Sequence, residues 1–208
     1  ADELWGGSAD DVAYGQAGDD LVEGEGGDDY LEGNAGVDTI NGGNDQDDMV
    51  GGSGRDDGGP GRTLRKLANV IDEGDVMDGG ADQDVMLGDN GSISRPGTIG
   101  IFGTIDREIE LYDVETFGGP AVSDAVSGDE NPMVGGSGND VMFGQGGDDR
   151  MLAGLGEDYA EGNHGEDVLY GGPGQDDLIG GGSANDGVID ADRVGDGLLD
   201  GDDFLAGD

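Results

Sequence analysis

Aspartates recur every ninth residue along two stretches of this chain: Asp11, Asp20, Asp29, Asp38, Asp47 and Asp56, then Asp140, Asp149, Asp158, Asp167 and Asp176. Carboxylates repeated at a fixed interval suit either paired acid/base work or the binding of a hard cation. The residues around them decide between the two. Each aspartate closes a glycine-rich loop, most cleanly in Gly51-Gly52-Ser53-Gly54-Arg55-Asp56 and in Gly135-Gly136-Ser137-Gly138-Asn139-Asp140-Val141-Met142-Phe143. Glycine lets the backbone take positive φ angles and turn its carbonyl oxygens toward a common point. Carboxylate and carbonyl oxygens, about six to eight per ion, are what Ca²⁺ prefers, whereas zinc or copper would call for His or Cys. The chain has one His and no Cys. Acidic doublets such as Asp19-Asp20 and Asp148-Asp149 follow the same period and so belong with the loops.

These loops need elements to hold them. The residues that end each repeat suffice for a very short strand with one inward side chain, and such a strand is stable only when stacked. With two nonapeptides per turn of a flattened coil, repeats two apart lie on top of each other. Asp11, Asp29 and Asp47 then form one edge ladder, and Asp20, Asp38 and Asp56 the opposite one. Successive strands sit about 4.8 Å apart, so an ion can lie between one loop and the next. The position two residues after each aspartate carries Val22, Leu31, Ile40, Met49, Met86, Met142, Met151, Leu169 and Leu178. All six methionines occupy it, Met77 and Met133 included. A pliable thioether filling a thin core accounts for them better than a redox or ligand role.

Composition makes metal obligatory on this reading. Fifty acidic residues against eight basic ones give a formal charge of −42 over 208 residues, and only 33% of residues are apolar. Without ions such a chain repels itself and has little surface to bury, which is the signature of disorder. Asp outnumbers Glu by 38 to 12, which suits loop ligands better than solvated helix faces. A merely solubilising surface has no reason to keep a nine-residue phase.

The nonapeptide Gly-Gly-x-Gly-x-Asp-x-U-x, with U apolar, resembles the haemolysin-type (RTX) calcium-binding repeats of secreted bacterial proteins. The resemblance implies an all-β fold, a parallel β-roll, with multiple Ca²⁺ ions between its turns, and counting stacked loop pairs, four in the first clean block and three in the second, gives about seven or more. It also implies export through a type I secretion channel and folding outside the cell, hence a secreted, extracellular or cell-surface bacterial location. Hydrolases exported by that route often carry such repeats as an appendage.

Along the chain the phase divides the sequence into a calcium-binding β-roll block at 1–59, an insertion at 60–74, a short roll turn at 75–90, a β-rich insertion at 91–130, and a second block at 131–208. The second block degenerates from about residue 182. Within the first insertion Leu64, Leu67, Val70 and Ile71 are spaced for one face of a short helix that would cap the coil. Asp75 and Asp84, nine apart, add to the candidate ligands. In the second insertion Ser92 to Ser94, Thr98 to Ile105 and Arg107 to Thr116 read as β segments separated by Gly and Pro, a hairpin or small sheet projecting from the coil. Asn131 stands where an aspartate is expected, with Met133 in the inward slot. Asn185 and Val194 keep the spacing while their loops degrade, and Asp203 with Leu205 restores the pattern. Asp192, Asp196, Asp200 and Asp203 also fit positions of an acidic helix-loop calcium site, but Val194 takes a ligand position there, so a distorted coil turn is preferred.

Catalytic signatures are missing: there is no His-Glu-x-x-His, Gly-x-Ser-x-Gly, phosphate loop or Cys nucleophile, and His164 reads as a loop residue. The acidic balance argues against nucleic acid, and no apolar run reaches the length of a membrane span. The chain reads as a segment of a larger protein. Two roles follow, each with calcium ions as the first partner. One is a calcium-rigidified structural or adhesive module with self-association or a cell-surface partner. The other is an accessory secretion and folding domain of a secreted hydrolase or toxin.

Overall fold

The structure, a computed structural model, describes residues 1–52, 74–95, 107–111, 130–181 and 204–207. Among the described residues there is no helix, and all but two strands belong to two parallel sheets. One is eight-stranded, in the order β1 (Glu3–Gly7), β3 (Leu21–Gly26), β5 (Thr39–Asn44), β7 (Val76–Ala81), β11 (Met133–Ser137), β13 (Arg150–Leu155), β15 (Val168–Tyr170) and β17 (Phe204–Ala206). The other is seven-stranded: β2 (Val12–Ala17), β4 (Tyr30–Ala35), β6 (Asp48–Val50), β8 (Val85–Leu87), β12 (Val141–Gly146), β14 (Tyr159–His164) and β16 (Asp177–Gly181). The chain alternates between the sheets, so each roll strand stacks on the preceding strand of its own sheet, β11 on β7 and β12 on β8 across the hairpin. This is a β-roll. The register is even: Leu4 pairs with Val22, Val22 with Ile40, and Met142 with Ala160.

Because side chains alternate across a strand, each short strand sends one apolar residue inward. Val22, Leu31, Ile40, Met49, Met77, Met86, Met133, Met142, Met151 and Leu169 are fully buried in one continuous core between the sheets, with Leu4, Ala13 and Leu178 partly buried at its ends. The inward slot read from the sequence is the core of the roll, and all six methionines lie in it. Unbranched Met adapts to whichever residue the adjacent turn presents.

The register crosses every interruption without losing a step. Ile40 pairs with Met77, Met77 with Met133, Met86 with Met142, and Leu169 with Leu205. One sequence expectation changes as a result. The place above Asp38 belongs to Asp75 and not to Asp56, which lies outside the described residues. β17 pairs directly with β15, Val168 with Phe204, while Asn185 and Val194, which keep the nine-residue spacing, lie outside the described residues. The expected helix at 60–74 falls, apart from Gly74, outside the described residues.

The three long connections all run the same way. Each leaves the seven-stranded sheet, after β6, β8 or β16, and returns to the eight-stranded sheet at β7, β11 or β17. They therefore share one edge of the roll. The middle connection contains an antiparallel hairpin, β9 (Gly91–Ser94) with β10 (Glu108–Leu111), in which Ile93 pairs with Ile109. The hairpin packs on the roll instead of projecting from it. Ile93, Ile109 and Leu111 cover Val50, Leu87 and Phe143 on the outer face of the seven-stranded sheet, burying apolar surface that would otherwise face water. Of the other β segments expected in this insertion, residues 98–105 and 112–116 lie outside the described residues.

Candidate metal centres

The loops between the sheets bring the periodic aspartates into two columns. Along the uninterrupted edge, the backbone N–H of each aspartate donates to Oδ1 of the aspartate one turn on: Asp11 to Asp29 at 2.8 Å, Asp29 to Asp47 at 3.0 Å, Asp47 to Asp84 at 2.9 Å, Asp84 to Asp140 at 2.9 Å, Asp140 to Asp158 at 2.9 Å, and Asp158 to Asp176 at 3.2 Å. The other edge repeats this from Asp20 to Asp38 at 2.8 Å, from Asp38 to Asp75 at 2.7 Å, and from Asp149 to Asp167 at 2.9 Å. Twelve of the fourteen sequence-predicted site residues thus fall into the two columns, while Asp56 and Asp203 lie outside the described residues.

One oxygen of each accepting carboxylate is spoken for by this bond. The second oxygen, Oδ2, of Asp20, Asp29, Asp38, Asp47, Asp75, Asp84, Asp140 and Asp158 is buried and meets no hydrogen-bond donor. A buried anionic oxygen without a donor is costly unless a cation or a proton meets it. Burial pushes the carboxyls up accordingly in the ion-free chain: Asp38 to about 6, Asp47 and Asp140 to about 7, Asp84 to about 8. Asp29, Asp75 and Asp158 shift the same way for the same reason.

Glycine stands where most of these oxygens gather, Ala153 taking the equivalent place ahead of Asp158. A methyl group at Gly79 would lie 2.5 Å from Oδ2 of Asp84 and 2.7 Å from the carbonyl oxygen of Gly135 in the next turn. The same crowding recurs at Gly24 beside Asp29 and at Gly144 beside Asp149. A carboxylate oxygen and a carbonyl from the adjacent turn therefore share the space where a Cβ would be. This donor set fits Ca²⁺, which accepts mixed carboxylate and carbonyl oxygens. Among the described residues no three His, Cys, Asp or Glu side chains converge on a point. Main-chain carbonyls must then supply most of any coordination shell, and a softer metal that needs several side-chain ligands is disfavoured.

The residue just before the ligand position forms a second column. Oδ1 of Asp10 accepts from the N–H of Asp28 at 3.1 Å, that of Asp19 from Val37 at 3.3 Å, that of Asp28 from Gln46 at 3.1 Å, and that of Asp148 from Glu166 at 2.9 Å. Asn139 does the same for Glu157 at 3.0 Å. These bonds run in the opposite direction to the inner ones, so neighbouring turns are stapled reciprocally. Sequence reading placed both members of each doublet with the metal loops. An amide serving as well as a carboxylate shows that the outer member acts as a hydrogen-bond acceptor.

A further arrangement has no periodic signal. Asp48 accepts from Nε of Arg107 at 2.8 Å and from Nε of Arg95 at 2.6 Å, and Arg95 also reaches the carbonyl of Gln46 at 2.6 Å and Asp28 at 3.3 Å. Two of the eight basic residues thus bracket one buried carboxylate and pin the hairpin beside the loops of Asp29 and Asp47. The same connection meets the roll again where Asp89 accepts from the N–H of Gly146 at 2.9 Å and Gln145 donates to the carbonyl of Asn90 at 3.0 Å.

A family model described as the RTX calcium-binding nonapeptide repeat (4 copies) matches residues 1–31, 23–57, 73–92, 127–160 and 154–186, more than half of the chain. No curated protein matches the chain.

Proposed function

We propose that this chain, which belongs to the RTX calcium-binding nonapeptide repeat family, is a structural module of a larger secreted or cell-surface bacterial protein, ordered by about seven or more calcium ions. As a member of that family it is a calcium-binding structural module. The finer reading assigns the side-chain ligands to Asp11, Asp29, Asp47, Asp84, Asp140, Asp158 and Asp176 on one edge and to Asp20, Asp38, Asp75, Asp149 and Asp167 on the other.

One observation carries this reading: rows of buried aspartate oxygens without donors, Asp29, Asp47, Asp84 and Asp140 on one edge and Asp20, Asp38 and Asp75 on the other, each beside a glycine where an added methyl would lie within 2.9 Å of that oxygen. Bound calcium supplies positive charge and takes oxygen donors in flexible geometry. The chain's own residues do the rest. Oδ1 of each aspartate fixes the carboxylate to the adjacent turn, which leaves Oδ2 aimed inward. Folding and ion uptake are then one event, because only stacked loops present both donor types together. Extracellular calcium, at roughly millimolar levels, suits the modest affinity of such external modules. Among the described residues, no helix is long and apolar enough to cross a membrane.

Circular dichroism with and without millimolar Ca²⁺ tests the proposal. At about pH 8, at the top of the range of the raised carboxyls, the β signal should appear with calcium and vanish with chelator. Asp29→Ala and Asp158→Ala should weaken that transition more than Asp113→Ala, whose position is off the nine-residue phase. Equal effects at all three positions, or a chelated sample that keeps its β spectrum, would contradict the proposal.

A further inference from the structure

Counting by nines puts Asn131 at the ligand position ahead of β11, but the hydrogen bonds put Glu130 there. In a regular step the aspartate N–H donates to the carboxylate one turn on, and its carbonyl accepts from the residue that follows that carboxylate, as Asp38 does from Val76 at 3.0 Å. Here it is the N–H of Glu130 that donates to Oδ1 of Asp149 at 3.0 Å, and the carbonyl of Glu130 that accepts from Arg150 at 2.9 Å. One turn back, the carbonyl of Asp75 accepts from Asn131 at 3.2 Å, which makes Asn131 the residue after the ligand. Glu130 is fully buried, whereas Asn131 is exposed.

The side chain agrees with the backbone. A methyl group at Gly88 would lie 2.7 Å from Oε2 of Glu130 and 2.5 Å from the carbonyl of Gly144, matching Gly51 with Asp75, where the carboxylate distance is 2.5 Å. The extra methylene of glutamate brings its carboxylate to the same place as an aspartate's. Gly88 itself is in register, its N–H donating to Phe143 at 2.8 Å. The entry and the exit of the hairpin-bearing connection therefore meet at one carboxylate, inside a loop of the metal-binding type.

We infer that Glu130 is a calcium ligand of this chain, closing a metal loop that runs from Gly88 to Glu130 and holds the whole hairpin-bearing segment within it. The inference rests on the calcium reading above. It adds that ion uptake at this loop fixes both ends of the segment, so the hairpin is ordered on the roll by the same event that orders the turns. The Gly88 loop thereby differs from its neighbours in using a glutamate, which the Gly-Gly-x-Gly-x-Asp pattern does not specify.

Calcium stoichiometry by titration calorimetry, paired with hydrogen exchange of the β9 and β10 amides at limiting calcium, tests this with Glu130→Gln, Glu130→Asp and Asn131→Ala in the full chain. Glu130→Gln should bind one ion fewer and speed exchange in Gly91–Ser94 and Glu108–Leu111, while Glu130→Asp keeps the wild-type count. Asn131→Ala should match wild type in both readouts. A lost ion in Asn131→Ala with none lost in Glu130→Gln would restore the nine-residue count and overturn the inference. An unchanged count in both variants would overturn it too. A wild-type chain that takes up no calcium would instead bring down the underlying reading.

Discussion

The backbone N–H of Asp38 donates to Oδ1 of Asp75 at 2.7 Å across 37 residues of sequence, and that of Asp20 donates to Oδ1 of Asp38 at 2.8 Å across 18. The two steps are equivalent in space although one contains an insertion. Asp75→Ala should therefore raise the calcium concentration needed for half-maximal folding as much as Asp38→Ala does. The lost acceptor also leaves a buried N–H behind, worth about 1–3 kcal/mol. Calcium titrations followed by circular dichroism measure this, and a wild-type midpoint for Asp75→Ala would refute the stacking.

Acid should partly replace calcium. The carboxyls of Asp38, Asp47, Asp140 and Asp84 are raised by burial from 3.8 to about 6, 7, 7 and 8. Between the ordinary and the raised values the folded chain holds protons that the unfolded chain has lost, so folding takes up protons there. Their contribution is complete below about 3.8 and disappears as pH rises through 6 to 8. Falling self-repulsion acts in the same direction. Chelated protein titrated from pH 8 to pH 4 should gain β signal, and calcium affinity should drop over the same range. A chelated chain equally unfolded at both ends would sink this prediction.

The hairpin should depend on Asp48. Removal of the buried carboxylate that both arginines share, Arg95 keeping Asp28 at 3.3 Å, should make Asp48→Ala cost about 3 kcal/mol in calcium-saturated protein, the lower end of the range for breaking a buried ion pair. Urea unfolding in excess calcium measures the loss. Because the pair is largely buried, added salt should alter the stability difference little. A loss below about 1 kcal/mol would mean that the clamp behaves as an exposed pair.

The outer column should tolerate amides. Asp148→Asn keeps an Oδ1 for the N–H of Glu166, as Asn139 does for Glu157, whereas Asp148→Ala removes it. The alanine variant should lose about 1 kcal/mol and the asparagine variant almost nothing. At the inner position the same Asp→Asn change, for instance at Asp158, removes a charge facing the metal and should weaken calcium binding strongly. If Asp148→Asn reduced calcium uptake as much as Asp158→Asn, the outer carboxylate would be a ligand as well.

A nine-residue interval made the roll, its inward slot and its two aspartate columns legible, because each repeat is one loop and one short strand and nothing else. The interval failed where spacing and stacking part company. Asn131 keeps the count, yet the connection ahead of it can deliver either of two neighbouring residues to the ligand position, and hydrogen bonding selects Glu130. Asn185 and Val194 likewise keep the period, yet Phe204 pairs directly with Val168. Asp48, Arg95 and Arg107 were invisible for another reason: their bond joins an ordinary outward strand position to an insertion with no repeat of its own. The Asp-Asp doublets showed that both residues matter without showing that their oxygens face different jobs.

Every long connection leaves from the same side of the roll, and the opposite column, Asp11 through Asp176, is unbroken. Such a molecule works like a spine with a row of sockets. Foreign sequence grafted between Gly51 and Asp75 would hang from a scaffold whose far margin keeps its own ladder of bonds, whereas the segment between Gly88 and Glu130 reaches that margin through Arg95 and Arg107.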